Sequence, residues 1–247
     1  MKIIQINIFL GAYLDNLSHF LLEEKPDAVT MQEVTQEAFN IISKKTNLSG
    51  FLDKTTPFKK SSNQVFFGNA ILTRGKIIKK HTVRLNENME IGPLGEIKGE
   101  DLEKIPRGLL DLQIEIDKWR FHLITTQLAV RKDRKDSPEK IRQAGSFSNY
   151  VRALGMEPFI IGGDLNAIPQ SRVIKIIDRV AQNSFYSFGI KRTTHPTFHK
   201  TIDFIPQGLV IDYIYTSTHF KVPSLRAPVV DVSDHLPLIA EVEFKKV

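Results

Sequence analysis

Phe159-Ile160-Ile161-Gly162-Gly163-Asp164-Leu165-Asn166 is an apolar run that ends in paired glycines, an acid and an amide. Its aromatic and β-branched residues predict a short buried strand, and the glycines let the backbone approach another group closely. Alternation along an extended chain puts Asp164 and Asn166 on one face with Leu165 opposite. A carboxylate beside a neutral amide suits cation-assisted hydrolysis: the acid orients or deprotonates a water, and the amide donates to an anionic oxygen whatever the pH. Taken alone, Asp and Asn after glycines also make ordinary turns closed by side-chain to backbone hydrogen bonds. The choice depends on what the rest of the chain supplies.

Runs of the same β character recur at 2–8, 28–32, 69–73, 109–116, 121–127, 159–162, 212–216 and 239–244, several bounded by Gly, Pro or Asn. Few helical patterns lie between them. Apolar residues at 14, 17, 20, 21 and 22 give segment 14–24 a helical face that stops before Pro26. Ser137-Pro138-Glu139 pairs a helix cap with proline at the first helical position and predicts a helix to about residue 154. A third helix is expected over 172–180, after Pro169. Segment 85–108 loses periodicity and collects Gly92, Pro93, Gly95, Gly99 and Pro106, the composition of a long loop or small hairpin bordering a site. With 247 residues and 41% hydrophobic content, the chain reads as one domain with a substantial core.

Composition narrows the chemistry. The chain has no cysteine, which removes disulfides, thiolate metal sites and cysteine nucleophiles. No apolar run approaches the ~20 residues that span a bilayer. The N-terminal run 3–10 is interrupted by Gln5 and Asn7 and reads as a strand rather than a signal peptide, so a cytoplasmic protein is expected. The net charge of +6 favours a polyanionic partner. The basic groups, Lys59-Lys60, 74–80, 131–135 and Lys191-Arg192, are spread along the chain and equally suit solvated faces.

Polar residues gather at the strand boundaries. Asn7 lies near the end of the first predicted strand, Gln32-Glu33 follow the second, Asp212 opens another, and Asp234-His235 precede the last. The run before Glu33 is buried strand, which tends to place its carboxylate at a rim. Magnesium keeps several waters, so one carboxylate, a second acid and an amide suffice to hold it. If Asp212-Tyr213-Ile214-Tyr215 lies beside Ser233-Asp234-His235-Leu236-Pro237, Asp212 accepts from Nδ1–H of His235 and fixes the tautomer. Nε2 then faces a substrate, and Asp234 is left for a metal. Each segment taken alone also reads as a strand end or capped turn.

In order, Asn7, Gln32-Glu33, Gly68-Asn69-Ala70-Ile71-Leu72-Thr73, Gly162-Gly163-Asp164-Leu165-Asn166-Ala167, Asp212-Tyr213-Ile214 and Ser233-Asp234-His235-Leu236-Pro237 resemble the endonuclease/exonuclease/phosphatase superfamily over nearly the whole chain. That superfamily includes deoxyribonuclease I, abasic-site endonucleases, neutral sphingomyelinases and inositol-polyphosphate 5-phosphatases. The resemblance implies an α/β fold, a four-layer α/β sandwich of two packed, mainly antiparallel mixed sheets with helices outside and a metal site at one edge. It also implies magnesium, with manganese as a substitute, held by Glu33 with Asn7 and Asp234 assisting. Asp164 would orient or deprotonate the attacking water, Asn166 would contact the scissile phosphate, and His235, buttressed by Asp212, would stabilise developing charge or act as a base. Whether Asp164 or His235 takes the proton stays open. The implied activity is a magnesium-dependent phosphodiesterase, with nucleic acid as the expected partner. A lipid head group or soluble phosphate ester is the alternative substrate, and a noncatalytic phosphate-binding scaffold is the third reading.

One position departs from that pattern. Many relatives carry histidine where Ile124-Thr125-Thr126-Gln127-Leu128 has Gln127, and some use tyrosine in this region. Glutamine donates a hydrogen bond but does not titrate near neutral pH, so Gln127 is expected to contact phosphate as a donor. Arg107 is a candidate to reach phosphate from the long loop, with a plain surface arginine as the alternative. His195-Pro196-Thr197-Phe198-His199 is assigned to a substrate-side loop, and the spacing of its histidines specifies no metal site. Trp119 is expected to pack within a strand or hairpin, and His19, His81, His122 and His219 to be structural or exposed.

Overall fold

Every predicted strand forms, and the residues that predicted them are the ones that leave water. The structure, a computed structural model, describes residues 1–60, 63–86, 99–131, 133, 135–201, 203 and 205–245. Ile3, Ile4 and Ile6 of β1 (Lys2–Asn7), Ala28, Val29 and Met31 of β2 (Ala28–Thr35) and Ile71 and Leu72 of β4 (Asn63–Thr73) are all fully buried. Each isoleucine so buried contributes about 1.5–3 kcal/mol relative to exposure. With β3 (Ser49–Lys60), β11 (Phe220–Arg226) and β12 (Leu238–Phe244), these strands make one six-stranded sheet in the order β11-β12-β1-β2-β4-β3. The second sheet runs β5 (Lys76–Arg84), β6 (Gly108–Ile116), β7 (Trp119–Gln127), β8 (Phe159–Asp164), β10 (Asp212–Thr216) and β9 (Gln182–Asn183). Among the described residues only β1–β2 and β7–β8 pair in parallel, so both sheets are mixed and mainly antiparallel.

Three apolar clusters separate four layers. Ile3, Ala28 and Ala240 of the first sheet meet Leu110, Leu112, Leu123 and Ile160 of the second. The outer face of the first sheet packs Ile4, Ile6 and Met31 against Leu17 and Leu21 of α1 (Leu14–Glu24) and Ala38 and Ile42 of α2 (Gln36–Thr46). The outer face of the second packs Ile124, Ile161 and Tyr213 against Ala144, Phe147 and Val151 of α3 (Pro138–Ala153) and Val173 and Ile174 of α4 (Arg172–Ile177). The predicted cap is in place: Ser137 Oγ accepts from Lys140 N at 3.2 Å, ahead of Pro138. Helix α4 is shorter than expected, ending at Ile177, and α5 (Phe185–Phe188) follows. Among the described residues, no helix is long and apolar enough to cross a membrane.

Register decides where the polar residues meet. In the second sheet Gln127 pairs with Asp164 and Asp164 with Asp212, a row of three across adjacent strands. In the first, Asn7 lies level with Gln32 on parallel neighbours. The middle of the long loop, 87–98 with Gly92, Pro93 and Gly95, lies outside the described residues, as do Lys132 and Arg134. Its ends close on each other, Leu85 N donating to Arg107 O at 2.8 Å and Asn86 Nδ2 to Ile105 O at 2.9 Å.

Candidate active site

The two sheets converge at one edge, and that edge collects every residue singled out for chemistry. Asn7 ends β1 almost fully buried, its Nδ2 donating to Glu33 Oε1 at 3.1 Å and to Asp164 Oδ2 at 3.0 Å. Its Oδ1 accepts from Phe9 N at 3.0 Å, inside a turn where Phe9, Leu10 and Gly11 take φ of 47°, 57° and 85°. The turn sends the chain away and leaves the amide at the site. Glu33 sits in the register shift between Met31 and Val34 with φ of 55°. A side chain there is uncommon, and such backbone gathers at functional sites. The irregularity separates neighbours: Glu33 faces the site rim, while Gln32 points between the sheets.

Gln32 belongs to a buried polar network behind the catalytic edge. Its Nε2 donates to Gln5 Oε1 at 2.9 Å and Thr125 Oγ1 at 2.8 Å, and Gln5 Nε2 reaches Gln32 Oε1 at 2.6 Å and Asp212 Oδ1 at 3.4 Å. Thr30 Oγ1 donates to Gln5 Oε1 at 2.9 Å. Gly162 makes room for this network, since a Cβ there would stand 2.1 Å from Thr30 Oγ1. Satisfied buried polar groups of this kind fix one arrangement of the sheets.

Asp164 and Asn166 converge, though not by strand alternation. Strand β8 ends at Asp164, and Asn166 turns into the left-handed region with φ of 49°. Asp164 Oδ1 accepts from Asn166 N at 3.0 Å, so the local turn chemistry is present and itself builds the site. Asn166 Nδ2 donates to Leu128 O at 3.1 Å and to Asp164 Oδ2 at 3.3 Å. The fully buried Lys140 of α3 donates to Asn166 O at 2.7 Å, a brace that nothing in its helical position announced.

His235 and Asp212 take the geometry read from their segments, with Nδ1 and Oδ2 2.9 Å apart and both side chains buried. Residues 193–195 hold the two segments together: Thr193 Oγ1 accepts from Asp212 N at 3.1 Å, Leu236 N donates to Thr193 O at 2.7 Å, and His195 N to Asp234 O at 2.8 Å. Burial alone would lower the pKa of His235, but Asp212, with Asp234 and Asp164 adding, raises it to about 10. These carboxylates favour the charged form of the ring. Asp234 is pushed up to about 6 by burial, with His235 opposing and the Glu33 charge adding. Ser233 Oγ ties this loop to β1 by donating to Asn7 O at 2.6 Å.

Gln127 and Arg107 are bonded within the site. The Gln127 Nε2 donates to Glu33 Oε1 at 2.8 Å and Asp164 Oδ2 at 3.1 Å, and its Oε1 accepts from Arg107 Nη1. Arg107 is a buried arginine, 5% exposed, not a surface one. Among the described residues its Nε has no hydrogen-bond partner. Burial pulls its pKa down while the charges of Glu33 and Asp164 hold it up. Gln127 thus bonds both carboxylates, and Arg107 holds its amide oxygen.

The donor set suits a hard divalent cation, which takes oxygen ligands. Two carboxylate and histidine groups have ligand atoms within 4.8 Å of one another: Asp164, Asp212 and His235, and His199, Asp234 and His235. Sequence reading put His199 on a substrate-side loop, without any signal that it reaches Asp234 and His235. Its neighbour His195 serves the turn itself, its Nδ1 accepting from Thr197 N at 3.1 Å and its Nε2 meeting Asp231 Oδ1 at 3.1 Å. Trp119 stacks on Phe244 at 4.2 Å, far from a phosphate role. His122 is buried between Asp111 and Glu157.

Comparison with known proteins extends the geometry. A sequence model of the Endonuclease/Exonuclease/phosphatase family matches residues 4–235. Among curated protein sequences, none matches the chain. The fold is similar to that of an endonuclease/exonuclease/phosphatase from Bacteroides vulgatus, at 17% identity and a TM-score of 0.76 over 99% of this chain and 98% of that one. It is similar to a mannosyl-6-phosphatase of Bacteroides thetaiotaomicron, at 15% identity and a TM-score of 0.73 over 99% and 100% of the two chains. It is also similar to D. rerio TDP2 complexed with a single-strand DNA product, at 16% identity and a TM-score of 0.71 over 98% of each chain.

Proposed function

Since the chain belongs to the endonuclease/exonuclease/phosphatase family, we propose that it is a magnesium-dependent phosphodiesterase that hydrolyses nucleic-acid phosphodiester bonds. The observation that carries this reading is the direct hydrogen bonding of Asp164 to Asn7, Gln127 and Asn166 beside the Asp212–His235 pair, at the one edge where both sheets meet. A scaffold that only bound phosphate would have no use for so many buried acids.

Glu33 and Asp234 would hold the ion, with Asn7 orienting Glu33. An ion held there would supply neutralisation of phosphoryl charge. Asp164 orients the water and accepts its proton as the new P–O bond forms and the ester P–O bond breaks. His235, kept charged by Asp212, donates from Nε2 to a phosphoryl oxygen, a preorganised donor at the place where negative charge builds. Asn166 fixes the Asp164 carboxylate from the side of the substrate. The net charge of +6 and the likeness to a relative complexed with single-strand DNA support nucleic acid as the substrate class. A second reading, hydrolysis of a soluble phosphate ester, draws support from the likeness to a mannosyl-6-phosphatase.

A substrate panel with magnesium present or chelated separates these readings: supercoiled DNA, abasic-site duplex, RNA, sphingomyelin, inositol phosphates, a sugar phosphate and a simple phosphodiester. Glu33→Ala and Asp164→Ala serve as controls. Cleavage of nucleic acid that chelation and both substitutions abolish is the expected result. Survival of every substrate at high protein concentration would rule out the enzymatic reading.

A further inference from the structure

Strands β3 and β5 are each the outermost strand of a sheet, and they meet on one flank of the sandwich. Arg84 of β5 reaches Asp53 of β3 at 2.6 Å, and Lys80 Nζ lies 4.7 Å from the centre of the Phe51 ring. The exposed cations along β5 are Lys76, Lys79, Lys80 and Arg84. Arg84 is neutralised by Asp53, but among the described residues none of the three lysines has a carboxylate partner. The edge strand β11 is built differently: Lys221 pairs with Glu243 at 2.7 Å and Arg226 with Glu24 at 2.7 Å. Both edges carry the basic side chains that guard an open strand against pairing, yet β5 leaves its lysines without counter-charge.

This flank runs into the catalytic edge. Arg84 lies opposite Gly108, the residue after Arg107, and Arg107 bonds Gln127 beside Asp164. From Arg84 back to Lys76 the strand is roughly 25 Å long. Phe51 adds an apolar surface. Its register partner Ile71 is buried between the sheets, which puts Phe51 on the inner face of β3, but at the edge its ring stays 38% exposed. A row of unneutralised lysines beside an exposed aromatic ring fits a flexible polyanion with unstacked bases: phosphates meet the lysines, and a base lies against the ring.

We propose that the β5 edge, with Phe51 beside it, is a docking track for single-stranded nucleic acid leading to the catalytic edge. The proposal rests on the nucleic-acid reading of the site and adds where the strand lies beyond the reacting bond. Lys76, Lys79 and Lys80 supply attraction independent of sequence, and Phe51 supplies a stacking surface. The track therefore favours single strands over duplexes and long strands over short ones.

The probe is a fluorescently labelled oligothymidylate of about twenty nucleotides, kept intact by a chelator and followed by anisotropy across a salt series. Lys76→Gln, Lys79→Gln and Lys80→Gln together should weaken binding about 10–100-fold at low salt. They should also flatten the slope of log affinity against log salt by about 2, since each single-strand phosphate contact contributes ~0.7. Phe51→Ala should weaken binding about tenfold with the slope unchanged, the size of one lost base stack. With magnesium restored, both variants should cleave a simple phosphodiester, too small to reach the flank, at the wild-type rate, while kcat/KM on the oligonucleotide falls. A control that removes the same charge from other exposed positions, Lys44→Gln, Lys175→Gln and Lys191→Gln, should bind as wild type does. Equal losses in the two triple variants would make net charge the cause and overturn the track. Unchanged affinity in the β5 variant overturns it as well, whatever the protein cleaves. Tighter binding of a duplex, insensitive to Phe51→Ala, overturns the single-strand assignment. Binding lost in the β5 variant alone, in a protein that cleaves no nucleic acid, supports the track and overturns only the nuclease reading.

Discussion

Arg107 donates from Nη1 to the Oε1 of Gln127 in the protein interior, and that bond decides which way the glutamine amide faces. With its oxygen turned to the guanidinium, the amide presents both hydrogens to Glu33 and Asp164. The expected consequence is strong coupling. Arg107→Met frees the amide to rotate, so Gln127→Ala should cost little more once Arg107 is gone, giving an interaction energy of about 1–2 kcal/mol in a double-mutant cycle. The cycle is read both in kcat/KM and in manganese affinity by electron paramagnetic resonance. Additive losses would mean that Gln127 holds its orientation without Arg107.

Asp212 sets the charge of His235, whose pKa of about 10 comes from carboxylates outweighing burial. Asp212→Asn keeps a polar group beside Nδ1 and removes the charge. The His235 pKa, followed by NMR, should then fall by more than a unit, and turnover at neutral pH by about 10² as the charged donor is lost. A titration unmoved by the substitution would contradict this origin of the charge.

A second histidine couples stability to pH far from the site. His122 Nδ1 lies 2.7 Å from Asp111 Oδ2, its Nε2 2.8 Å from Glu157 Oε2, and Tyr150 OH donates to the same Asp111 oxygen at 2.6 Å. Burial lowers the pKa of His122, but Asp111 and Glu157 outweigh it and raise the value above the ordinary 6.5. Because the folded value is the higher one, the stabilisation is fully present below pH 6.5 and is lost as pH rises through the folded-state pKa. Urea unfolding across that window should show wild type losing stability relative to His122→Gln as pH rises. A constant difference would dismiss the ion pair as the source.

What could be read in advance follows from burial. The strands that announced themselves are β1, β2, β4, β6, β7, β8, β10 and β12, each with two neighbours in its sheet. The four that did not, β3, β5, β9 and β11, are the four edges. Strand β5 alternates only between exposed and half-buried positions, and β11 carries Pro223, as edge strands that resist pairing do. Helix α2 also went unread, since only Ala38 and Ile42 of it are fully covered, with Phe39 partly buried against the same cluster. At the site, Asp212 opens β10 and His235 lies just before β12, each beside a strand that announced itself, and residues 193–195 bridge the two segments. The burial of Arg107, the reach of Lys140 to Asn166 and the approach of His199 to Asp234 depend on loop and helix placement, which no local pattern encodes.

Gly162 tests whether the network between the sheets fixes their spacing. Its Cα faces Thr30 so closely that a Cβ would stand 2.1 Å from Oγ1 and 3.2 Å from Gln5 Oε1. Neither neighbour has room to retreat, because Thr30 donates to Gln5 and Gln5 is bonded to Gln32 in turn. Gly162→Ala is expected to destabilise the fold by about 1–3 kcal/mol, the cost of overpacking a filled interior. Gly162→Ala combined with Thr30→Ala, which removes the clashing oxygen, should recover part of that loss even though Thr30→Ala alone destabilises. Denaturant midpoints of the three variants decide it. If the double substitution is no more stable than the sum of the single losses predicts, the contact with Thr30 is not what demands glycine, and the strand itself must reject the side chain.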